Sequence, residues 1–171
     1  MSLSYNHSIN LKGACIMFQE IKIEELSMNP FTKIGKEWML VTAGDEAGYN
    51  MLTASWGGVG VLWNCNTATA FVRESRYTKK FIDSADKFTL SFFGSQYRQA
   101  LTLCGTKSGR DTDKAAEAGL TPCFVDGTTG FNEADMIIVC KKIYADLIDP
   151  AHFIDPQADE KFYADRDYHT M

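Results

Sequence analysis

The segment Arg73-Glu74-Ser75-Arg76-Tyr77-Thr78-Lys79-Lys80 gathers cations and hydroxyls where a strand-like stretch gives way to a helix-like one. A helix start offers unpaired backbone N–H groups, and Arg73, Arg76, Ser75 and Thr78 would add charge-assisted bonds to a phosphate. The same residues equally describe a capped, solvated helix start. A second candidate is Asn50-Met51-Leu52-Thr53-Ala54-Ser55-Trp56-Gly57-Gly58, where polar Asn50, Thr53 and Ser55 interrupt an apolar strand. Gly57 and Gly58 permit close approach of a ligand or of backbone. Backbone amides, hydroxyls and the Trp56 indole could meet a flat heteroaromatic ring here, and a strand ending in a bulge over a buried Trp56 fits the same pattern. A third stretch, Gly105 to Lys114, sets Lys107, Arg110 and Lys114 where they could face an anion, or forms a surface loop with Asp111 capping a helix. It does not satisfy GxxxxGK[ST], and Gly58-Val59-Gly60 lacks the third glycine of a dinucleotide fingerprint.

Other chemistries find less support. Asp83, Asp86, Asp111 and Asp113 offer no pair that reads as a general acid and base, so no catalytic side chain is assigned. Cys104 reads as a buried structural thiol, and His169 as a surface histidine near a terminus. The five cysteines, at 15, 65, 104, 123 and 140, include no CxxC. The histidines, His7, His152 and His169, are scattered, so no metal site is expected. Without a basic, apolar leader the thiols are expected to be reduced and the protein cytoplasmic. Seventeen Lys and Arg against 22 Asp and Glu leave a net charge of −5, which argues against a nucleic-acid binder. The charge-free stretch that begins at Tyr49 is broken by Gly57, Gly58, Gly60, Asn64 and Asn66 and does not read as a membrane span.

The elements that must position these residues are mostly strands. Trp38–Thr42 and Tyr49–Trp56 read as a hairpin about the turn Gly44–Gly48, followed by a strand over Val59–Trp63. A turn is expected at Asn64–Thr67 and a strand over Ala68–Val72. Ser75, Ser95 and Asp111 are expected to cap three short helices, the last stopped by Gly119. Lys87–Phe93 alternates as a half-buried strand, and Leu120–Val125 and Asp135–Leu147 read as two more. With 171 residues, the pattern predicts one mainly β domain with short helices, an antiparallel closed or partly closed barrel rather than a doubly wound sheet. Residues 1–16 show no clear period and are set aside as an upstream extension or an expression remnant, leaving 17–171 as the domain.

The order Asn29-Pro30-Phe31, Lys36-Glu37-Trp38-Met39-Leu40, Asn50 to Gly58, Val72 to Thr78, then Cys104 to Asp111 resembles the flavin reductase-like, FMN-binding split-barrel family, and within it the flavoredoxin-type branch. The resemblance covers about residues 18–171. It implies a six-stranded antiparallel split β-barrel, a homodimer, and non-covalent FMN near the dimer interface. Carried over by position, Asn50, Met51, Thr53, Ala54, Ser55 and Trp56 would line the flavin ring and ribityl chain. Arg73, Arg76, Tyr77 and Thr78 would surround the phosphate. Lys107, Ser108, Gly109 and Lys114 would close the site. Relatives continue from an Asp-Tyr-His segment like Asp167-Tyr168-His169 into a last strand.

The resemblance further implies hydride transfer from NADH or NADPH to FMN, with electrons passing on to a second acceptor. Thr53 and Ser55 would be donors to the reduced ring. The alternatives are a flavoredoxin-type electron carrier reduced by a protein donor, a pyridoxamine-phosphate oxidase-like reaction, which would need a second basic cluster, and a barrel that has lost its flavin.

Overall fold

The computed structural model describes residues 2–5, by their backbone, and residues 18–171. Its strands are β1 (Ser2–Tyr5), β2 (Gln19–Ile21), β3 (Met39–Asp45), β4 (Gly48–Ala54), β5 (Gly57–Leu62), β6 (Cys65–Ala70), β7 (Val72–Arg73), β8 (Lys87–Phe92), β9 (Pro122–Val125), β10 (Thr128–Phe131), β11 (Met136–Lys141) and β12 (His169–Thr170). Its helices are α1 (Pro30–Thr32), α2 (Thr78–Ser84), α3 (Arg98–Thr106), α4 (Lys114–Ala118) and α5 (Pro156–Phe162), joined by short 3-10 and π turns.

Six strands form one antiparallel sheet in the order β2-β1-β11-β8-β3-β4, and β5–β6, β7–β12 and β9–β10 form three two-stranded ribbons. The sheet does not close on itself. The fold is mainly antiparallel β with short helices, a split barrel.

The central strands β3, β8 and β11 are buried on both faces, which explains the apolar run 136–140. Along β11, Met136, Ile138 and Cys140 enter one core with Met39, Val41, Leu52, Leu90 and Phe92. Ile137 and Val139 point the other way, into a second core with Leu40, Met51, Leu101, Cys104, Ala115 and Phe131. Strand side chains alternate between faces, so a strand covered on both sides can be apolar throughout. β8, expected to be half-buried, is also covered on both sides, and it buries Thr89 and Ser91 fully between its apolar residues. The second core seats α3 and α4 on the sheet and thereby places the loop between them.

Several boundaries differ from the expectation, each for a local reason. Ser2–Tyr5, part of the segment set aside, forms β1 between β2 and β11. Its order Ser-Leu-Ser-Tyr has the period of a strand. The rest of 1–16, with His7 and Cys15, lies outside the described residues. The β5–β6 turn sits at Trp63-Asn64, both with positive φ (52° and 57°), so the strand begins at Cys65. The unforeseen strand β10 pairs with β9 across Asp126-Gly127, a dipeptide suited to a tight hairpin. β11 stops at Lys141, and Lys142 instead donates to the Ile82 carbonyl (2.5 Å) and the Asp83 carbonyl (3.0 Å).

None of the three expected caps acts as one. α2 starts at Thr78 behind Tyr77 with no side-chain cap. Ser95 lies inside a 3-10 turn that leads into α3. The cap of α4 is Asp113, adjacent to the helix, which accepts the Ala116 N–H at 3.1 Å. Gly119 does end α4, in the left-handed conformation (φ 67°) that favours glycine.

Candidate functional site

Three chain segments converge on one cavity of about 120 Å³. Strand β4 supplies Asn50, the loop into α2 supplies Ser75, Arg76, Tyr77 and Thr78, and the α3–α4 connection supplies residues 106–110 and Lys114. Asn50 is buried and its Nδ2 donates to Thr78 Oγ1 (3.0 Å), tying β4 to α2. Gly109 lies directly on Asn50: a Cβ there would stand 2.3 Å from Asn50 Oδ1. Arg76 spans the gap, donating through Nη2 to the Gly105 carbonyl at 2.8 Å.

The charge of the lining is one-sided. Arg76, Lys107, Arg110 and Lys114 line the cavity, and no carboxylate does. Lys107 pairs outward with Glu117. Arg110 lies over the Tyr77 ring at 4.9 Å. Lys114 is only 3% exposed, and its ammonium donates to the carbonyls of Met51 and Cys104. Burial pulls its pKa down to about 8, with neighbouring Arg76 adding to the shift and Cys104 opposing it. Burial also lowers the Arg76 pKa, against the field of Asp167. A chain with net charge −5 has thus placed four cations around one small hole. That donor set suits a compact, multiply charged oxyanion.

Of the residues singled out in the sequence, Asn50, Arg76, Tyr77, Thr78, Lys107, Ser108, Gly109 and Lys114 meet at the cavity. Others lie elsewhere. Met51 and Ala54 face the two cores. Thr53 donates its hydroxyl to the Leu101 carbonyl at 2.5 Å, so it keeps only lone pairs for a ligand. Ser55 is half-buried just past the end of β4. Trp56 is 39% exposed, edge-on to Phe162 (5.3 Å between centroids) and 5.1 Å from His169. Arg73 turns away to Asp165 (2.9 Å) and the Phe162 carbonyl (2.8 Å). His169 is not a surface residue: it is 8% exposed, with Nδ1 3.0 Å from the Tyr163 hydroxyl, and burial beside Arg73 lowers its pKa. Thr106 was missed, since a threonine closing a helix carries no signal of its own. Burial raises the Cys104 thiol to about 11, away from reactivity.

A family model described as the flavin reductase like domain matches residues 31–149. The chain belongs to this family. Among solved structures, a flavoredoxin of Desulfovibrio vulgaris (Miyazaki F) is 27% identical with a TM-score of 0.59, over 66% of this chain and 61% of that one. An FMN-binding domain of a flavin reductase-like enzyme from Shewanella baltica OS155 is 16% identical with a TM-score of 0.57, over 82% of this chain and 68% of that one. Nitrilotriacetate monooxygenase component B from Bacillus cereus is 18% identical with a TM-score of 0.57, over 75% and 70%. The latter two likenesses show the fold alone. This flavin reductase-like chain spans 61% of the flavoredoxin's length. The comparison with curated proteins gives no match. Among the described residues no helix is long and apolar enough to cross a membrane, and no His, Cys, Asp and Glu cluster could hold a metal.

Proposed function

We propose that the protein binds FMN with its phosphate in the four-cation cavity, and that it acts as an NAD(P)H-dependent flavin oxidoreductase. The observation that carries this reading is the lining itself: four cations, hydroxyls of Thr78 and Ser108, and a glycine at 109 whose missing side chain leaves room beside Asn50. At about 120 Å³ the cavity suits an anionic end group rather than a whole cofactor, whose pocket typically exceeds about 300 Å³. When bound, FMN supplies a ring that takes a hydride from NADH or NADPH and hands electrons to a second acceptor.

The chain's own residues bind and orient. Arg76 and Lys114 neutralise the phosphate from partly and fully buried positions, where charge pairs are screened least. Lys107, Ser108 and Arg110 close over it from the α3–α4 loop. Ser55 and the backbone beyond β4 remain the donors nearest to the ring's expected place, because Thr53 is committed to Leu101.

A second reading is a flavoredoxin-type electron carrier reduced by a protein donor. It is favoured by the 27% identity to a flavoredoxin. Anaerobic mixing of the FMN-loaded protein with NADH or NADPH separates the two. Bleaching of the flavin's visible absorption by either nucleotide supports the oxidoreductase, and bleaching by dithionite alone supports the carrier. Failure of the purified protein to retain or take up FMN would overturn both.

A homodimer belongs to the same proposal. The tip of the β5–β6 hairpin exposes Val61 (74%), Leu62 (50%) and Trp63 (61%), and Trp63 reaches Tyr144 of a neighbouring exposed segment (6.2 Å between rings). Grouped exposed apolar side chains of this kind mark an interaction surface. Light scattering of the protein and of Trp63→Glu tests whether a second copy covers it.

A further inference from the structure

We propose that Asp167 is a positioning residue of the anion cavity, fixing from the far end of the chain the loop that delivers Arg76. The inference rests on the FMN reading above. Asp167 takes two bonds from one residue: Oδ1 accepts the Ser75 N–H at 3.0 Å and Oδ2 accepts the Ser75 hydroxyl at 2.5 Å. These bonds set both the backbone and the side-chain rotamer of Ser75, which itself lines the cavity. The flanking residues are tied to the same segment. Val72 and Arg73 pair with Thr170 and His169, and the Glu74 N–H donates to the Tyr168 carbonyl at 3.2 Å. From Val72 to Ser75 every residue is therefore held by the segment 162–170. Arg76 is the next in line, and its N–H donates to the Arg73 carbonyl at 3.1 Å.

Asp167 does not line the cavity. Its charge also acts through space, on Arg73 at 3.8 Å and on Arg76, and it adds no bond to the cavity, so what it positions it positions through Ser75. Its side chain is 19% exposed, which keeps its bonds partly out of water. A carboxylate accepting N–H and O–H together forms the stronger, charge-assisted class of hydrogen bond. The sequence separation of 92 residues is why no local motif shows the pair.

The test titrates the full chain with FMN and, separately, with riboflavin, which lacks the phosphate, well below the unfolding temperature. In Asp167→Ala, FMN affinity is expected to fall about tenfold (about 1.4 kcal/mol). Riboflavin affinity is expected to stay within about twofold, since a misplaced phosphate cradle costs only the ligand that uses it. Asp167→Asn keeps an acceptor for the Ser75 N–H and should fall between wild type and alanine. Ser75→Ala should lower the FMN-to-riboflavin ratio too, and in the double variant the two losses should not add, as for residues in contact. An unchanged ratio in Asp167→Ala, or a parallel loss of both ligands, would overturn the assignment. If the alanine variant does not fold, Asp167→Asn and Ser75→Ala carry the same comparison. Absence of FMN binding by the wild-type protein would be distinct, since it removes the underlying reading before any variant is compared.

Discussion

Arg73 and Arg76 stand three residues apart in one loop, and the fold gives them opposite surroundings. Arg73 meets Asp165 at 2.9 Å and Asp167 at 3.8 Å, donates to the Phe162 carbonyl, and lies 5.7 Å from the Tyr163 ring centroid. Its charge is consumed within the molecule. Arg76 donates to a neutral carbonyl, that of Gly105, and stands among three other cations. A guanidinium carries five donors, and one bond to a carbonyl neutralises none of its charge. The difference teaches that the fold can commit one cation of a motif to carboxylates and leave its neighbour three residues on without a direct ion pair. Here the commitment is selective, because Asp165 and Asp167 reach the loop from the C-terminal segment and face Arg73 and Ser75.

Replacing each arginine breaks the comparison most directly. Arg76→Ala removes a charge-assisted contact worth about 1.5–3 kcal/mol, so FMN should bind roughly 10- to 100-fold more weakly with the melting temperature nearly unchanged. Arg73→Ala should do the reverse. It should lower stability by about 1–3 kcal/mol, a fall in Tm of about 3–10 °C for a chain of this size, with FMN affinity changed much less. Calorimetry and fluorescence titration of both variants check the crossing pattern; equal behaviour of the two would dissolve the distinction.

The cavity side is sharpened by filling its tightest contact. In Gly109→Ala the new methyl would stand 2.3 Å from Asn50 Oδ1, where something must shift. Overpacking of this kind costs about 1–3 kcal/mol. Displacing the Asn50 amide disturbs its bond to Thr78 at the cavity wall, so FMN affinity should drop as well. A crystal structure or an FMN titration of the variant measures it.

A pH series addresses Lys114, with Arg76 and Cys104 the groups that act on it. Its pKa of about 8 lies below the ordinary value of 10.5. The unfolded chain therefore binds more protons between those values, and the stability of the ligand-free protein should rise with pH from about 8. Cys104, raised from 9.0 to about 11, opposes this above pH 9, so the clean window is pH 8 to 9, and the gain there is at most about 1 kcal/mol. FMN affinity should move the other way, falling across the same window as the ammonium loses its charge, while the phosphate, with its second pKa near 6, stays dianionic. Lys114→Met should flatten both curves. Parallel slopes for stability and affinity would show that Lys114 does not face the anion.

How far the sequence reaches can be argued from these same residues. The strands of the split barrel were legible in the alternation of β8 and the apolar run of β11, but the alternation read β8 as half-buried, whereas Thr89 and Ser91 on its polar side are fully buried. The cavity residues from Arg76 to Thr78 and from Lys107 to Gly109 were legible because each trio is local. The Arg73 clasp was not, since Asp165 and Asp167 are 92 positions from their partners and only β12 pairing with β7 brings them in. The cap at Asp113 was misplaced at Asp111 by two residues, a shift that propensity alone does not resolve, because both residues cap equally well. Trp56 shows the same limit: nothing near it in sequence announces Phe162 or His169 as its neighbours.

The smallest expected effect probes the edge of the clasp. Asp165 is bonded to Arg73, yet its side chain is 62% exposed. Exposed pairs contribute about 0–1 kcal/mol, because water screens them and ordering two side chains costs entropy. Asp165→Ala should therefore lower Tm by no more than about 2–4 °C and leave FMN affinity unchanged, since Ser75 remains held by Asp167. A larger loss of affinity in Asp165→Ala than in Asp167→Ala would mean that the loop is set through Arg73 rather than Ser75. The two arginines would then act as one unit, and the contrast drawn between them would have to be given up.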